Sequence, residues 1–175
     1  MTYTFWHSGI LIGESDLQEA PGNPRQLGGV FHPTAYGLEV FPRISGFLSA
    51  GHALKTHIEK NGRSPNELKT SDIAHLLDTT PAGQKIMAIG RVLSEVEMRA
   101  PDGVRLECAS IAFSDVLEVQ RLARALALSA ADRLADLPPD APRYIVTATF
   151  RPGAAASRRE SQGGYTRRRH WSADN

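Results

Sequence analysis

The sequence has only one cysteine, Cys108, among its 175 residues. A single thiol cannot form a disulfide within the chain or supply a zinc site built from several cysteines. No apolar stretch approaches the roughly eighteen residues of a membrane-spanning helix, and the first residues lack the basic start and apolar core of a signal peptide. We therefore expect a reduced, cytoplasmic protein that makes no membrane contact.

The motifs typical of nucleotide chemistry or covalent catalysis are also missing. The sequence contains no Gly-x-Ser-x-Gly motif and no phosphate-binding loop ending in Gly-Lys-Ser/Thr, and Gly28-Gly29 lacks the third glycine of a dinucleotide fingerprint. None of the six histidines pairs with another at the three- or four-residue spacing that places two ligands on one helix face. We therefore expect no cofactor and no metal.

Neither sign of charge dominates the whole chain, because 20 lysines and arginines face 19 acidic residues. The last 25 residues nevertheless carry six arginines against two acidic side chains, a net charge of +4. Residues 1–150 therefore hold 14 basic and 17 acidic residues, a net charge of about −3, which is too acidic for a domain that coats nucleic acid. Any contact with a polyanion should be local.

The pattern of apolar residues predicts an α+β fold with a mainly antiparallel sheet. A central strand is expected within residues 2–13, where apolar side chains occupy both faces, and a last strand at 143–150. Predicted strands do not alternate strictly with predicted helices, so a doubly wound parallel sheet is not expected.

Residues 92–113 are predicted to form a β-hairpin around the turn sequence Ala100-Pro101-Asp102-Gly103. A three-residue loop keeps Met98 opposite Leu106 and puts Cys108 on the same apolar face. We therefore expect Cys108 to be a core side chain with a raised pKa and not a nucleophile.

Helical spacing of apolar residues predicts helices at 46–61 and 115–137, with short helices between 65 and 90. Residues 36–41 fit a short strand. Residues 14–35 contain several Pro and Gly residues and little periodicity, which predicts a long loop. The sheet is expected to pack on the two longer helices.

The chain is interpreted as one α+β domain, residues 1–150, followed by a flexible basic tail rich in Gly, Ser and Arg, residues 151–175. Arginine binds phosphate through two parallel hydrogen bonds, and Tyr or Trp stacks on unpaired bases. The candidate nucleic-acid-binding residues in this tail are Arg158, Arg159, Tyr165, Arg167, Arg168, Arg169 and Trp171.

The first functional hypothesis is a non-catalytic subunit or binding module of a larger assembly. Its body would pack on protein partners, and its tail would contact RNA, DNA or an acidic partner.

A second hypothesis is a small enzyme with an acid–base site under the 14–35 loop. Its weak catalytic candidates are His7, Glu14, Asp16 and His32, which this loop would bring together over the first strand.

A third hypothesis is a helix-turn-helix DNA-binding protein that uses residues 71–90. The second half of this segment departs from that pattern, since Asp78 stands where a Gly is usual and Gln84 stands where an apolar anchor is usual.

Overall fold

The computed structural model describes residues 1–20, 22–126 and 143–151. These residues form two antiparallel sheets and a set of helices, which confirms the predicted α+β class. None of the described helices is long and apolar enough to cross a membrane.

The first sheet has five antiparallel strands, which are β1 (Tyr3–His7), β2 (Ile10–Ser15), β5 (His32–Pro33), β6 (Val96–Arg99) and β7 (Arg105–Leu106). Their spatial order is β5-β2-β1-β6-β7. Along β1, Tyr3, Phe5 and His7 are buried, whereas Thr4 and Trp6 alternate with them on the outer face. This period of two gives the sheet one core face.

The second sheet has four antiparallel strands, which are β3 (Gln18–Ala20), β4 (Asn23–Val30), β8 (Cys108–Asp115) and β9 (Tyr144–Phe150). Their order is β3-β4-β9-β8, so the predicted C-terminal strand is confirmed and lies inside this sheet.

Five α-helices are described, which are α1 (Ala35–Ile44), α2 (Phe47–Lys60), α3 (Thr70–Thr79), α4 (Pro81–Leu93) and α5 (Val116–Ala125). A single 3-10 turn, Pro65–Glu67, precedes α3. The predicted helix at 46–61 and the short helices between 65 and 90 are confirmed. The predicted helix at 115–137 is found as α5, capped by Asp115, and its remaining part lies outside the described residues.

The core lies between the two sheets and is centred on phenylalanines. Phe5 of β1 meets Phe31 and Phe113 edge to face, with ring centroids 5.7 and 5.5 Å away. Phe41 of α1 stacks on Phe31 with centroids 6.3 Å apart. Such aromatic contacts add stabilisation beyond the area that the rings bury, and they fix how the sheets and α1 pack together.

The 92–113 hairpin has the predicted register. Met98 pairs with Leu106, and the Ala100 N–H donates to the Val104 carbonyl at 2.8 Å, which closes the three-residue loop. The paired segment is short, however, because Cys108 belongs to β8 and pairs with Phe150 in the second sheet. The hairpin strand therefore crosses from one sheet to the other at residue 107.

Two local predictions near the N-terminus are wrong. The single strand expected within residues 2–13 is a hairpin, because Ser8 and Gly9 adopt positive φ angles of 50° and 78° in a two-residue turn. The loop expected at 14–35 contains strands β3, β4 and β5. Gly28 and Gly29 pair in register with β9, and small residues in a strand leave no apolar alternation to detect.

The short strand expected at 36–41 is also wrong, since these residues belong to α1. The Thr34 hydroxyl accepts a hydrogen bond from the Gly37 N–H at 3.0 Å and caps the helix. Pro42 lies within the last turn, where it has no N–H to donate to the Leu38 carbonyl, and the helix ends two residues later. Pro42 therefore marks the end of a helix and not the end of the predicted strand.

Candidate binding groove at an open sheet edge

Strand β8 forms one edge of the second sheet and pairs only with β9. It is eight residues long, and Cys108–Ser114 contains no charged side chain. The other sheet edges are much shorter, since β3 has three residues and β5 and β7 have two each. Short length and charge are the usual protections of a sheet edge. Among the described strands, β8 is therefore the edge best suited to accept another strand.

The hydrogen-bond pattern shows which backbone groups of β8 face outward. The Val116 N–H donates to the Arg143 carbonyl at 2.8 Å, which fixes the alternation of bonded pairs along β8 and β9. Ser114 and Ala112, two and four residues before Val116, therefore form their backbone hydrogen bonds with β9. The backbone N–H and C=O groups of the intervening residues Ile111 and Phe113 point away from β9. An incoming strand would find backbone partners there.

A groove of about 910 Å³ runs beside this edge. Consecutive residues of β8 from Cys108 to Ala112 line it, so this wall is the strand's edge and not one of its faces. Five extended residues span about 17 Å. The opposite wall is helical, with Phe47 at the start of α2 and Leu93 at the end of α4. A single extended segment fits between a strand edge and helices, as in other strand-addition sites.

The groove has an apolar interior and a charged rim. Phe47 is 44% exposed, and Leu106 and Ile111 are half-buried. At the rim, Glu97 contacts Arg105 at 3.0 Å, and Glu107 is exposed. Large exposed apolar side chains in a concave surface with a polar rim are typical of a binding site.

Cys108 is one of the residues that line this groove, and it is half-buried. Its Sγ lies 3.6 Å from the Met98 Sδ, so the predicted shared face of these two residues is confirmed. Burial raises the pKa of Cys108 to about 11. Because the thiolate is the nucleophilic form, this thiol is poorly reactive near neutral pH.

A second cleft, of about 720 Å³, lies between α1, α2 and α5. Its charges are mixed, because Lys85 and Arg121 line it together with Glu118 and the pair Arg143–Asp115. The Arg143 Nε donates to the Asp115 carboxylate at 3.2 Å, and this hydrogen bond raises the pKa of Arg143. The opposite signs leave no strong preference for an anion or a cation.

Of the predicted catalytic residues, only His7 is buried, with 4% of its surface exposed. Its Nδ1 lies 3.1 Å from the Tyr36 hydroxyl. Its Nε2 lies 3.3 Å from the Glu95 carboxylate, close enough for an ion pair, but the two atoms are not aligned for a hydrogen bond. The structure thus gives His7 partners that the sequence analysis did not include.

The other three candidates lie on exposed positions of the first sheet and its border. Glu14 and His32 are cross-strand neighbours between β2 and β5, and Glu14 also pairs with Thr4 on the outer face. Asp16 accepts a hydrogen bond from the Thr2 hydroxyl at 2.7 Å. Glu14 and His32 therefore come together, but His7 lies on the opposite face of the sheet.

Tyr36 and Glu95 were missed because they lie 29 and 88 residues from His7 along the chain. No local spacing connects such distant residues, and only the packing of α1 and of the α4–β6 turn against β1 brings them together. Within the part of the chain that the structure describes, no group of three His, Cys, Asp or Glu side chains could hold a metal ion.

Helices α3 and α4 form the predicted helical pair within residues 71–90. Only Thr80 separates them, whereas a helix-turn-helix usually has a turn of three to four residues. Lys85, one of the two basic side chains of α4 that this alternative would use for phosphate contacts, lines the second cleft beside Gly46. The other, Arg91, is exposed on α4.

All of the tail's candidate nucleic-acid-binding residues lie outside the described residues, which end at Arg151. Arg151 itself is exposed and lines the groove beside β8. No protein-family model, no curated protein sequence and no solved structure matches the chain.

Proposed function

We propose that this protein is a non-catalytic binding module of a larger assembly, which contacts nucleic acid or an acidic partner through its arginine- and aromatic-rich tail. The observation that carries this proposal is the separation of charge, with +4 on the last 25 residues and about −3 on the preceding 150. A local cluster of arginines attracts polyanions even when the rest of the protein does not.

Three arginines of the body are held in ion pairs. Arg99 and Arg105 both contact Glu97, at 3.3 and 3.0 Å, and Arg143 contacts Asp115 at 3.2 Å. An arginine held by a carboxylate must lose that contact before it binds a phosphate. The last 25 residues contain six arginines and only two acidic side chains, so their own sequence supplies few carboxylates to compete with a polyanion.

The groove beside β8 is a surface of the body suited to an extended protein segment, from a partner or, when no partner is bound, from this chain. Its open strand edge and apolar walls suit an extended peptide, which is recognised by backbone hydrogen bonds and by side-chain pockets. The proposal thus assigns polyanion contact to the tail and protein contact to the body.

The test is binding of the full chain to a fluorescent oligonucleotide of about 20 nucleotides, single-stranded or duplex, across a range of salt concentrations. Replacing Arg167, Arg168 and Arg169 with Ala should lower the slope of log K against log salt on duplex by about two to three units, one for each lost phosphate contact. Replacing Tyr165 and Trp171 with Ala should leave the slope unchanged and cost about 1–3 kcal/mol per stacked base on single strands.

The matched control removes the same charge from the body. Arg43, Arg63 and Arg91 are exposed, and replacing all three with Ala should leave the salt slope unchanged. Equal losses from the two triple variants would refute a special role of the tail. Replacing Lys85 and Arg91 with Ala tests the helix-turn-helix alternative. If that alternative is right, this double substitution by itself abolishes binding to duplex DNA.

A second candidate function is favoured by His7, which lies between a tyrosine hydroxyl and a carboxylate. A histidine that lies beside a carboxylate can act as a general base toward a hydroxyl when the pair is aligned. The enzyme alternative would therefore use His7 with Tyr36 and Glu95 in place of Glu14, Asp16 and His32. If it is right, Tyr36→Phe abolishes turnover while the protein stays folded. A wild-type protein that turns over none of a panel of hydrolase substrates would count against it.

A further inference from the structure

The groove beside β8 is adjacent to the point where the described chain leaves the second sheet. Phe150 pairs with Cys108 at the start of β8, and Arg151 lines the groove. The 24 residues that follow therefore begin at its rim. Residues 127–142, which also lie outside the described residues, rejoin the described chain at Arg143, which lines the second cleft instead. The tail, by contrast, is joined directly to a residue that lines the groove.

We propose that residues 152–175 dock in this groove as a strand added to β8 of the same chain, and that a polyanion releases them. The release step rests on the proposed function, because it requires that the tail bind polyanions. Docking itself does not depend on it.

The backbone and the walls of the groove both suit this occupant. The outward N–H and C=O groups of Ile111 provide hydrogen-bond partners for an added strand. The exposed ring of Phe47 and the Leu93 side chain offer apolar contacts to the tail's two aromatics, Tyr165 and Trp171. These aromatics are the tail's largest apolar side chains, and docking would remove both them and Phe47 from water.

Charge and length are also compatible with docking. The charged side chains that line the groove balance, because Arg105 pairs with Glu97 and Arg151 is opposite in sign to Glu107. The exposed carboxylate of Glu107 can pair with a tail arginine. The tail begins with Pro152-Gly153, a dipeptide typical of reverse turns, which would direct the chain away from β9. The part of β8 that lines the groove spans about 17 Å, and 24 residues can extend to about 80 Å, so the tail is long enough to lie along it.

Cys108 provides the readout, because it lies in the groove and is the chain's single cysteine. The rate of alkylation by iodoacetamide is compared between the natural chain and a chain of equal length in which 154–175 are replaced by Gly-Ser repeats. Both rates are measured at one pH well below the pKa of Cys108, which is about 11, so that only a small thiolate fraction reacts in either chain. A docked tail should slow alkylation about ten-fold or more, because the thiol then reacts only when the tail opens.

Two further variants keep the test independent of folding. In the full chain, Tyr165→Ala with Trp171→Ala should also speed alkylation of Cys108, and matching circular dichroism spectra establish that the body is intact. A control chain carries Cys108→Ser and Ser71→Cys, which moves the thiol to an exposed site on α3. Its alkylation rate should be the same with either tail.

Equal rates at Cys108 with the natural and the Gly-Ser tail would overturn docking. Protection that increases with protein concentration would also overturn it, since the tail would then come from a second copy. Adding the single-stranded oligonucleotide to the natural chain should restore fast alkylation. If the oligonucleotide binds without this effect, the release step is wrong. If it does not bind, the proposed function fails, while docking is still judged by the Gly-Ser comparison.

Discussion

Gly37 gives the sharpest test of the packing between α1 and the first sheet. This residue lies in the first turn of α1, directly over the backbone of β2, and a Cβ added there would overlap the Ile12 carbonyl oxygen. The overlap is between main-chain groups, so no side-chain rotation relieves it. Two hydrogen bonds hold the helix in this position, from the Thr34 N–H to the Ile12 carbonyl at 3.0 Å and from the Thr34 hydroxyl to the Leu11 carbonyl at 2.9 Å.

The expected effect of Gly37→Ala is a loss of stability. Alanine favours a helix interior over glycine by up to about 1 kcal/mol, and less in a first turn. Overpacking a tight contact costs about 1–3 kcal/mol or more when the neighbour cannot move. We therefore expect a net loss of about 2 kcal/mol in the free energy of unfolding, measured by urea denaturation followed by circular dichroism.

Two other helical glycines serve as controls of opposite sign. Gly51 of α2 and Gly90 of α4 have no atom within 4 Å of an added Cβ. Substituting either with Ala should stabilise the protein by about 0.5–1 kcal/mol through helix propensity alone. The reasoning is refuted if Gly37→Ala is as stable as the wild type, or if the three substitutions shift the urea midpoint in the same direction.

Two further substitutions test contacts of the first sheet. Tyr36→Phe removes the hydroxyl that faces the buried His7 Nδ1. This substitution should lower the free energy of unfolding by about 1–3 kcal/mol, because the histidine nitrogen loses its partner. An unchanged urea midpoint would show that this contact is not formed in solution. Arg99→Ala removes a guanidinium that lies 4.5 Å from the Trp6 ring, and it should lower the free energy of unfolding by about 1 kcal/mol. Arg105→Ala removes a more exposed side chain and should lower it by less than about 0.5 kcal/mol. The reverse order in thermal or urea unfolding would contradict this assignment.

The local features of the fold follow from the sequence. The hairpin at 92–113 was predicted in its register because Ala100-Pro101-Asp102-Gly103 fits only a few turn geometries and because a one-residue slip would mix apolar and polar faces. The α2 helix and the start of α5 were predicted from apolar spacing and from Asp115 as the capping residue.

Segments with weak local signals were misassigned because tertiary contacts determine their structure. Gly28 and Gly29 become strand residues by pairing with β9, although glycine disfavours strands on its own. Residues 36–41 include β-branched and aromatic side chains, yet they form a helix, because Thr34 caps it and Gly37 packs closely on the backbone of β2. In both places long-range pairing outweighs intrinsic propensity.

The sequence by itself determined the α+β class, the turn and helix signals, and the concentration of arginine in the tail, since each depends on residues close together along the chain. Only the tertiary structure decided that His7 faces Tyr36 and Glu95, and that β8 is an unprotected edge beside an apolar groove. Those features join residues far apart in the chain. Their closeness depends on how the two sheets and the helices pack, which no local spacing encodes.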